Sequence, residues 1–575
     1  MPVEALRRRL SPSRARLVAG RTEVAEWWTL LGCLLVVALP ALTIAVGSLV
    51  ARPDLHPGGD QAVIEIGTGN AAKLDQGLGP YSRFGWSHPG PSWYYLLAPL
   101  YRLLGEHSWA MTVAVAAVHA AAAAAIVLAV RCFGARRLFV VAAAAVLLYV
   151  TSLPGEEWRA VWNPYALLLP AGLLLVLCAG AAAGSRLAPV GALLCGSFLI
   201  QTHIGTAPLV VAMWGASAAL TVVFVRRRRI CSAGVGRPPS RAAPRSDRVW
   251  IALGVSALAV MWFPPLLQQL TAPSGNLTAL ARFFATSHGG GHSWSASASA
   301  LGRELAVFPL GRNNGNLPSD ITRLPLTVAA VVVAYAALAL GLAVGAWRCD
   351  RFLAALGTLT LVALPVSLFS VRQIVGDVSD YLVLWQSILP VLVWIGWAGV
   401  WLGRYSGPRR ASRRLRVAAG VLVGVVLAAL AGAEASADAR LPPLSSAAAA
   451  AAAAAGVAEA SAALTDPAVV RGPVLVRIQS HSVWPLAAGL VLDLRKRGAD
   501  PAVTDNWVFM FGEPLRSRAS RYVEVIVAAD GDANWVPRGT VRVADVGTSE
   551  GPATVLVRRS TVPLPSGGST TGSSP

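Results

Sequence analysis

Long apolar runs constrain this chain more than any other feature of its sequence. Several of them reach the ~20 residues that a helix needs to cross a bilayer. Hydrophobic residues make up 55% of the 575 positions and charged residues only 14%, a balance that a soluble protein of this length does not need. We therefore expect an α-helical polytopic membrane protein with about eleven spans, near 27–51, 108–130, 138–152, 164–182, 187–203, 206–225, 249–267, 324–346, 353–370, 381–403 and 417–436.

The basic residues orient these spans. Arginines cluster at 7–9, 226–229 and 404–416, each time beside an apolar run. This is the pattern of cytoplasmic loops, and it excludes a nucleic-acid surface as the reason for the net charge of +20. With residues 1–26 in the cytoplasm, the outer segments are 52–107, 153–163, 268–323, 371–380 and everything after 436.

Two points in this topology are open. The first span follows an arginine-rich start without a small-residue cleavage site, so we expect a retained anchor, with a cleaved signal peptide as the alternative. The third, fourth and fifth spans are short, and merging two of them would reverse the orientation of all later segments. The cysteines support the orientation, because all six fall in spans or on the cytoplasmic side: Cys33, Cys132, Cys178, Cys195, Cys231 and Cys349.

The chain after the transmembrane region, 27–436, changes character. An alanine run at 447–455 predicts a helical stalk within 437–464, with a low-complexity expansion as the alternative. The tail, 564–575, has the composition of a disordered segment. Between them, 465–563 is predicted to be a small extracytoplasmic α/β domain, with strands near 474–478, 522–528, 540–543 and 553–557 and a helix near 486–497.

Asp60 is the leading candidate for a chemical role. It follows Gly58 and Gly59 just beyond the first span, at the head of a polar stretch that ends in Gly-Trp-Ser-His-Pro-Gly-Pro at 85–91. The spans carry almost no ionisable residues, which argues against a proton-coupled pump. Polar side chains collect at the outer ends of the spans, so we expect a surface site whose further members are Glu65, Tyr81, Arg83, Trp86, His88, Glu157, Arg159, His203 and Arg372.

These candidates also have structural interpretations. Asp60 is a candidate helix N-cap, and Glu65 is better suited to support or capping than to chemistry. His88 could anchor the Pro-Gly-Pro turn. The remaining alternatives are helix packing for His203, local pairing in a solvated loop for Glu157 and Arg159, and snorkelling at the interface for Arg159 and Arg372.

Residues 55–105 resemble the first outer loop of the GT-C superfamily of membrane glycosyltransferases, with protein O-mannosyltransferases and the bacterial lipid A aminoarabinose transferase as the nearest analogues. The shared features are an acidic residue just past the first span, a later His-Pro-x-Pro-like turn, and an interfacial aromatic helix over 93–104. The organisation of the whole chain is similar too. One departure is that many relatives have two adjacent acids where this chain has Gly59-Asp60-Gln61.

The resemblance implies a transferase that moves a sugar from a polyprenyl-phosphate donor to a cell-envelope glycan or lipid on the outer face of the cell membrane. Asp60 would be the general base, and Arg159 and Arg372 would hold the lipid phosphate. No cofactor is required; His288 and His292 are weak evidence for a divalent metal. The preference for arginine over lysine fits a GC-rich, actinobacterial genome.

The alternative function is a non-enzymatic membrane protein, either a lipid or polymer exporter or a scaffold for envelope assembly. A transporter should show internal repeats, broken helices or polar residues at the bilayer midplane. The sequence contains no convincing repeat, so we favour the enzyme.

Overall fold

The computed structural model describes residues 12–135, 137–153, 155–232, 245–272, 274–286, 291–310, 325–405, 448–466, 469, 472–519, 521–530, 537–548 and 551–559. The helices before residue 406 are α1 (Pro12–Ala51), α2 (Gly59–Ala71), α3 (Ser92–Leu103), α4 (Ser108–Phe133), α5 (Leu138–Thr151), α6 (Gly155–Arg159), α7 (Leu168–Ala183), α8 (Ala188–Thr202), α9 (Ala207–Ser232), α10 (Arg245–Thr271), α11 (Asn276–Thr286), α12 (Trp294–Leu310), α13 (Pro325–Ala346), α14 (Arg351–Arg372), α15 (Asp380–Val383) and α16 (Leu389–Tyr405).

Eight helical segments in the described residues are long and apolar enough to cross a membrane, and α5 and α8 are shorter apolar helices. These ten segments correspond to the first ten predicted spans, whereas the predicted span at 417–436 lies outside the described residues. A small sheet domain follows them. The predicted fold class, a polytopic helical membrane protein with a small C-terminal α/β domain, is confirmed.

Close helix contacts in the bundle depend on small residues. A side chain at Gly357 of α14 would lie 2.6 Å from the backbone nitrogen of Ala343 in α13. A side chain at Gly172 of α7 would lie 2.6 Å from Ile388. Helices in a bilayer associate through close packing rather than through a hydrophobic difference from lipid, so such glycines set how near two backbones come.

Segments predicted to lie on the cytoplasmic side contact one another. Arg131 pairs with Glu26, and Arg186 pairs with Asp247, each with an N–O separation of 3.6 Å. Arg227 donates a 3.3 Å hydrogen bond to the carbonyl of Trp347. The predicted outer segments also meet, through Asn276 and Ser87, Arg83 and Val375, and Asn163 and Thr202.

These two sets of contacts agree with the predicted topology, in which the short helices connect opposite faces. The 14 residues of α5 rise only about 21 Å, less than the ~30 Å hydrocarbon core. Nevertheless, α5 follows the loop after Arg131 at one face and leads to the segment of Asn163 at the other. The 15-residue α8 likewise runs from the side of Arg186 to Thr202. Which face is cytoplasmic stays a prediction.

The terminal domain contains α17 (Ala448–Ala463), β1 (Pro473–Ile478), α18 (Trp484–Lys496), β2 (Asp500–Val503), α19 (Val508–Phe511), β3 (Val523–Ala529), β4 (Thr540–Thr548) and β5 (Gly551–Arg559). Its sheet has the order β2-β1-β3-β5-β4. Strand β1 is parallel to β2 and β3, whereas β5 is antiparallel to β3 and β4. The four predicted strands and the helix are present; β2, only four residues long and containing Pro501, was not predicted.

The alanine-rich helix α17 lies on the sheet domain rather than forming a separate stalk. Its Val457 and Ala460 are fully buried in the domain core. A side chain at Gly456 would lie 2.9 Å from the carbonyl oxygen of Gly547 in β4. Alanine and glycine allow this close approach, so the composition reflects packing as well as helix propensity.

Candidate active site

Asp60 lies in the first turn of α2 because the preceding glycines allow a turn that other residues would strain. Gly59 has φ +55°, in the left-handed region. A side chain at Gly58 would lie 3.0 Å from the carbonyl oxygen of Pro485 in the terminal domain. The chain therefore enters α2 pressed against α18, and it places the Asp60 carboxylate at the amino end of a helix, where negative charge is favoured.

Tyr81 holds the Asp60 carboxylate. Its hydroxyl donates a hydrogen bond of 2.6 Å to Oδ1 of Asp60. Burial raises the pKa of Asp60, and the hydrogen bond from Tyr81 opposes that shift. Burial, and then the Asp60 charge, also raise the pKa of the nearby Tyr94. Tyr94 fits here because a side chain at Gly67 of α2 would lie 2.6 Å from its ring. The site is thus a partly buried carboxylate among phenol groups.

The polar stretch after α2 folds into a hairpin over residues 79–88. Its ladder includes hydrogen bonds from Gly79 N to His88 O (3.1 Å), His88 N to Pro80 O (2.7 Å) and Ser82 N to Trp86 O (2.8 Å). Asn276, at the start of α11, accepts from Ser87 N at 2.9 Å and donates to Ser87 O at 2.8 Å. This two-point contact fixes the hairpin, and with it Tyr81, against the predicted outer segment 268–323.

Aromatic rings fill the space between the hairpin and α11. The Trp86 ring lies 5.5 Å from that of Phe283 and 6.2 Å from that of Phe284. Phe84 at the hairpin tip lies 4.8 Å from Phe283. Trp86 is 7% exposed, and its indole Nε1 has no hydrogen-bond partner within the described part of the chain. A buried donor without a partner costs free energy unless a ligand or water accepts from it.

The structure brings His88 and His203 together, with ring centroids 4.5 Å apart. Nδ1 of His88 accepts a hydrogen bond of 3.2 Å from the backbone N–H of Ile204, and Nδ1 of His203 accepts from Gly205. Burial, and then the neighbouring His203, lower the pKa of His88. A neutral His88 that accepts at Nδ1 carries its proton at Nε2. Both residues therefore join the hairpin to the outer end of α8.

Arg83 and Arg372 flank one short segment at the outer end of α14. Arg83 donates 3.0 Å to the carbonyl of Val375, and its guanidinium lies 5.0 Å from the Phe84 ring centroid. The Arg372 guanidinium lies 4.6 Å from the Trp294 ring centroid. Arg83 is exposed and Arg372 is half-buried, and both guanidinium groups are placed against aromatic rings.

Glu65 was a candidate for substrate binding, but the structure assigns it the supporting role. It is 2% exposed and accepts hydrogen bonds of 3.0 Å from Tyr101 and Ser108. The ammonium of Lys496, from the terminal domain, lies 2.5 Å from the same carboxylate oxygen. A carboxylate with three partners at one oxygen is part of the domain junction, and substrate binding by Glu65 stays a prediction.

Glu157 and Arg159 are also buried, at 4% and 8% exposure. They belong to α6, which Trp158 fastens through a 3.1 Å hydrogen bond to the carbonyl of Val150. The solvated loop that was the alternative for this pair is therefore wrong. Trp162, three residues beyond Arg159, lies 4.4 Å from Tyr381, and Tyr381 is among the groups that raise the pKa of Tyr81. The segment that follows α6 therefore contacts Tyr381 in α15.

The described residues contain no cluster of three or more His, Cys, Asp and Glu side chains that could hold a metal. His288 lies outside them. Nε2 of His292 lies 2.8 Å from the carbonyl oxygen of Gly376, so it fixes the segment between α14 and α15.

Sequence reasoning missed the part of the site that comes from the terminal domain. The Trp484 and Phe509 rings pack edge-on against Tyr81, with centroids 6.0 and 6.3 Å away. Tyr94 and Asn276 were also missed. The tyrosines of α3 and an Asn after a span were visible as residue types, but no local pattern connects a residue near 484 or 509 with Asp60.

No family model matches the chain, and no curated protein matches it. Solved structures that it resembles include ArnT from Cupriavidus metallidurans bound to undecaprenyl phosphate, with 14% identity and a TM-score of 0.48 over 94% of this chain and 100% of that one. The apo state of the same protein has 14% identity and a TM-score of 0.34, over 93% and 98%. With both TM-scores below 0.5, neither the fold nor the substrate of that protein is transferred to this chain.

Proposed function

We propose that this chain is a membrane glycosyltransferase that moves a sugar from a polyprenyl-phosphate donor to a cell-envelope acceptor on the extracytoplasmic face, with Asp60 as general base. The observation that carries the proposal is the hydrogen-bonded, partly buried Asp60 carboxylate at the rim of an apolar helical bundle. A lipid tail in the bilayer and a hydroxyl acceptor in water can both reach such a place.

The proposed reaction is a displacement at the anomeric carbon. The acceptor oxygen attacks that carbon while its proton passes to Asp60, and the bond from the anomeric carbon to the phosphate oxygen breaks. Polyprenyl phosphate leaves with the bonding electrons. Burial raises the pKa of Asp60, and a carboxylate of higher pKa is a stronger base at a pH where it stays ionised. The Tyr81 hydrogen bond keeps the carboxylate ionised and oriented.

Departure of the lipid phosphate requires positive charge and hydrogen-bond donors at headgroup depth. Arg372 begins the segment 372–376, and Arg83 donates to the carbonyl of Val375 in the same segment. Arg83 is exposed, and Arg372 is half-buried. Trp86 adds an indole N–H without a protein acceptor among the described residues. We assign these three residues to the phosphate. Arg159, which was the other candidate, is buried in α6 and stays a prediction for that role.

Asp60→Asn tests the proposal. Purified full-length protein in lipid nanodiscs is incubated with labelled polyprenyl-phosphate sugars and envelope acceptors, and label transfer is measured. Loss of a general base should slow transfer by about 10²–10⁴-fold. Asp54→Asn is the matched control, because Asp54 lies in the same loop with a side chain that is 94% exposed. Equal transfer by Asp60→Asn and wild type would exclude Asp60 as the base. A wild-type protein that consumes none of the donors would favour the non-enzymatic alternative.

A further inference from the structure

The terminal domain lies directly against the Asp60 site because α18 runs beside α2 in the same direction. At their amino ends, a side chain at Gly59 would lie 3.5 Å from Cβ of Pro485 and 3.6 Å from the Trp484 ring. Near their carboxyl ends, Arg495 of α18 donates a 2.6 Å hydrogen bond to Asn70 of α2. Asn70 lies five residues beyond Glu65, which pairs with Lys496. The amino end of α18 and the amino end of α2 therefore face the same space.

The carboxyl ends of the parallel strands in the terminal sheet lie on the same side as the amino ends of α2 and α18. Strands β1, β2 and β3 are parallel, so their carboxyl ends lie at one edge of the sheet, the edge where open α/β sheets bind ligands. Trp484 follows the end of β1 by six residues, and Phe509 follows the end of β2 by six. Both rings contact Tyr81, so this edge of the sheet lies on the side of Asp60.

The two segments that follow these strands contact each other. The Trp507 indole donates 3.2 Å to the carbonyl of Ile478, and its ring lies 5.1 Å from that of His481. The accessible side chains of these two segments are of the kinds found on sugar-binding surfaces. They include aromatic rings with an exposed part, a hydroxyl, an amide and a carboxylate, that of Asp505, which pairs with Arg516. We name this surface the sheet-edge surface and define it by Ser480, His481, Trp484, Asp505, Asn506 and Phe509.

A glycan fits this surface better than a lipid does. A sugar ring has an apolar C–H face, which packs on an aromatic ring, and a rim of hydroxyls, which both donate and accept hydrogen bonds. His481, Asp505 and Asn506 are exposed, and Trp484 and Phe509 are half-buried, so polar partners surround an aromatic floor. Large exposed aliphatic side chains, which a lipid acceptor would need, are lacking among the residues that define the surface.

We infer that the sheet-edge surface binds the acceptor, and that the acceptor is a polyhydroxylated glycan whose reacting hydroxyl reaches Asp60 past Tyr81. The inference rests on the proposed function and adds the acceptor's chemical class. Trp484 and Phe509 then act as binding residues, and Asp60 acts on the same molecule as the base.

Binding of the full-length, detergent-solubilised protein to immobilised bacterial envelope oligosaccharides tests the inference without requiring transfer. We expect wild type and Asp60→Asn to bind the same glycans. Trp484→Ala should weaken binding at least tenfold, while Trp484→Phe, which keeps a ring, should retain most of it. The combined change His481→Ala and Asn506→Ala alters only exposed side chains and should also weaken binding. Val541→Ala, exposed on the edge strand β4, is the control and should bind as wild type does.

The outcomes separate this inference from the proposed function. Unchanged glycan binding by both Trp484→Ala and the His481/Asn506 variant would overturn the inference, even if Asp60→Asn abolishes transfer. A wild-type protein that binds no glycan but transfers sugar to a lipid or a polypeptide would also overturn it. Transfer by Asp60→Asn at the wild-type rate would instead contradict the assignment of the base and leave the binding result standing.

Discussion

The ammonium of Lys496 lies 2.5 Å from the buried carboxylate of Glu65, which joins the terminal domain to the first outer loop. The same ammonium donates to Ser108 at 2.5 Å. Glu65 belongs to α2, the helix that begins with Asp60, so this pair connects the position of the terminal domain with the geometry of the site. A buried carboxylate requires such a partner, because an unpaired charge in that place is costly.

Lys496→Ala should destabilise the protein by about 3 kcal/mol, since it leaves Glu65 buried without its cation. The measurement is thermal unfolding of the full chain in detergent. Adding Glu65→Gln to Lys496→Ala should restore much of the loss, because the uncompensated charge is then removed. Arg516→Ala breaks an exposed pair with Asp505 and should cost less than about 1 kcal/mol. Equal effects of the two single changes would contradict a buried, structural ion pair.

Tyr81→Phe should move the acidic limb of the pH–rate profile to higher pH. The Tyr81 hydroxyl lowers the pKa of Asp60 against the effect of burial, so its loss raises that pKa further. A general base must be ionised, and a higher pH is then needed for the same rate. Transfer rates measured across pH for wild type and variant test this. Identical acidic limbs would mean that another group sets the profile.

Asp60→Asn should increase stability at neutral pH. Burial raises the pKa of Asp60 above its unfolded value, so folding favours the protonated acid. The stability from this group is present below the unfolded pKa and is lost as pH rises through the folded pKa. An amide stays neutral, so the melting temperature of the variant should exceed that of wild type at neutral pH, with the difference shrinking on acidification. A lower melting temperature throughout would contradict the raised pKa.

Gly67→Ala should cost about 1–3 kcal/mol and reduce transfer, because the added methyl would lie 2.6 Å from the Tyr94 ring and displace it. Gly32→Ala is the matched control within a helix, since a side chain there meets nothing within 4 Å. It should be neutral or stabilise the protein by up to about 1 kcal/mol. Thermal unfolding and transfer assays measure both effects. A silent Gly67→Ala would mean that Tyr94 is not held against α2.

Cysteine labelling tests the orientation on which the proposed function depends. Cys132 and Cys349 are exposed and lie on the face predicted to be cytoplasmic. Wild-type protein in intact cells should therefore resist a membrane-impermeant maleimide until the cells are permeabilised. Phe84→Cys, at the hairpin tip where Phe84 is 39% exposed, should be labelled in intact cells. The reverse pattern would place Asp60 in the cytosol, away from lipid-linked sugars at the outer face.

The candidate site was predictable where its members are neighbours in the chain. Asp60, Tyr81, Trp86 and His88 occur within one polar stretch between apolar segments. In the structure, Asp60 lies in the first turn of α2, and the other three lie in the hairpin beside it. Glu65 belongs to the same stretch but points to the domain junction. Residue type alone could not distinguish a place in the Asp60 site from a place at the domain junction, because the place depends on which residue of a distant segment lies opposite.

The sequence by itself determined the positions of the ten apolar helices in the described residues and the change to a sheet domain. These follow from local composition, because a bilayer excludes unsatisfied backbone and charge from every lipid-facing segment. Only the tertiary structure decided that α17 covers the sheet, that Lys496 neutralises Glu65, and that Trp484 and Phe509 surround Tyr81. The contacts of Lys496, Trp484 and Phe509 join residues hundreds of positions apart, and their geometry arises from how α18 packs on α2, which no local periodicity encodes.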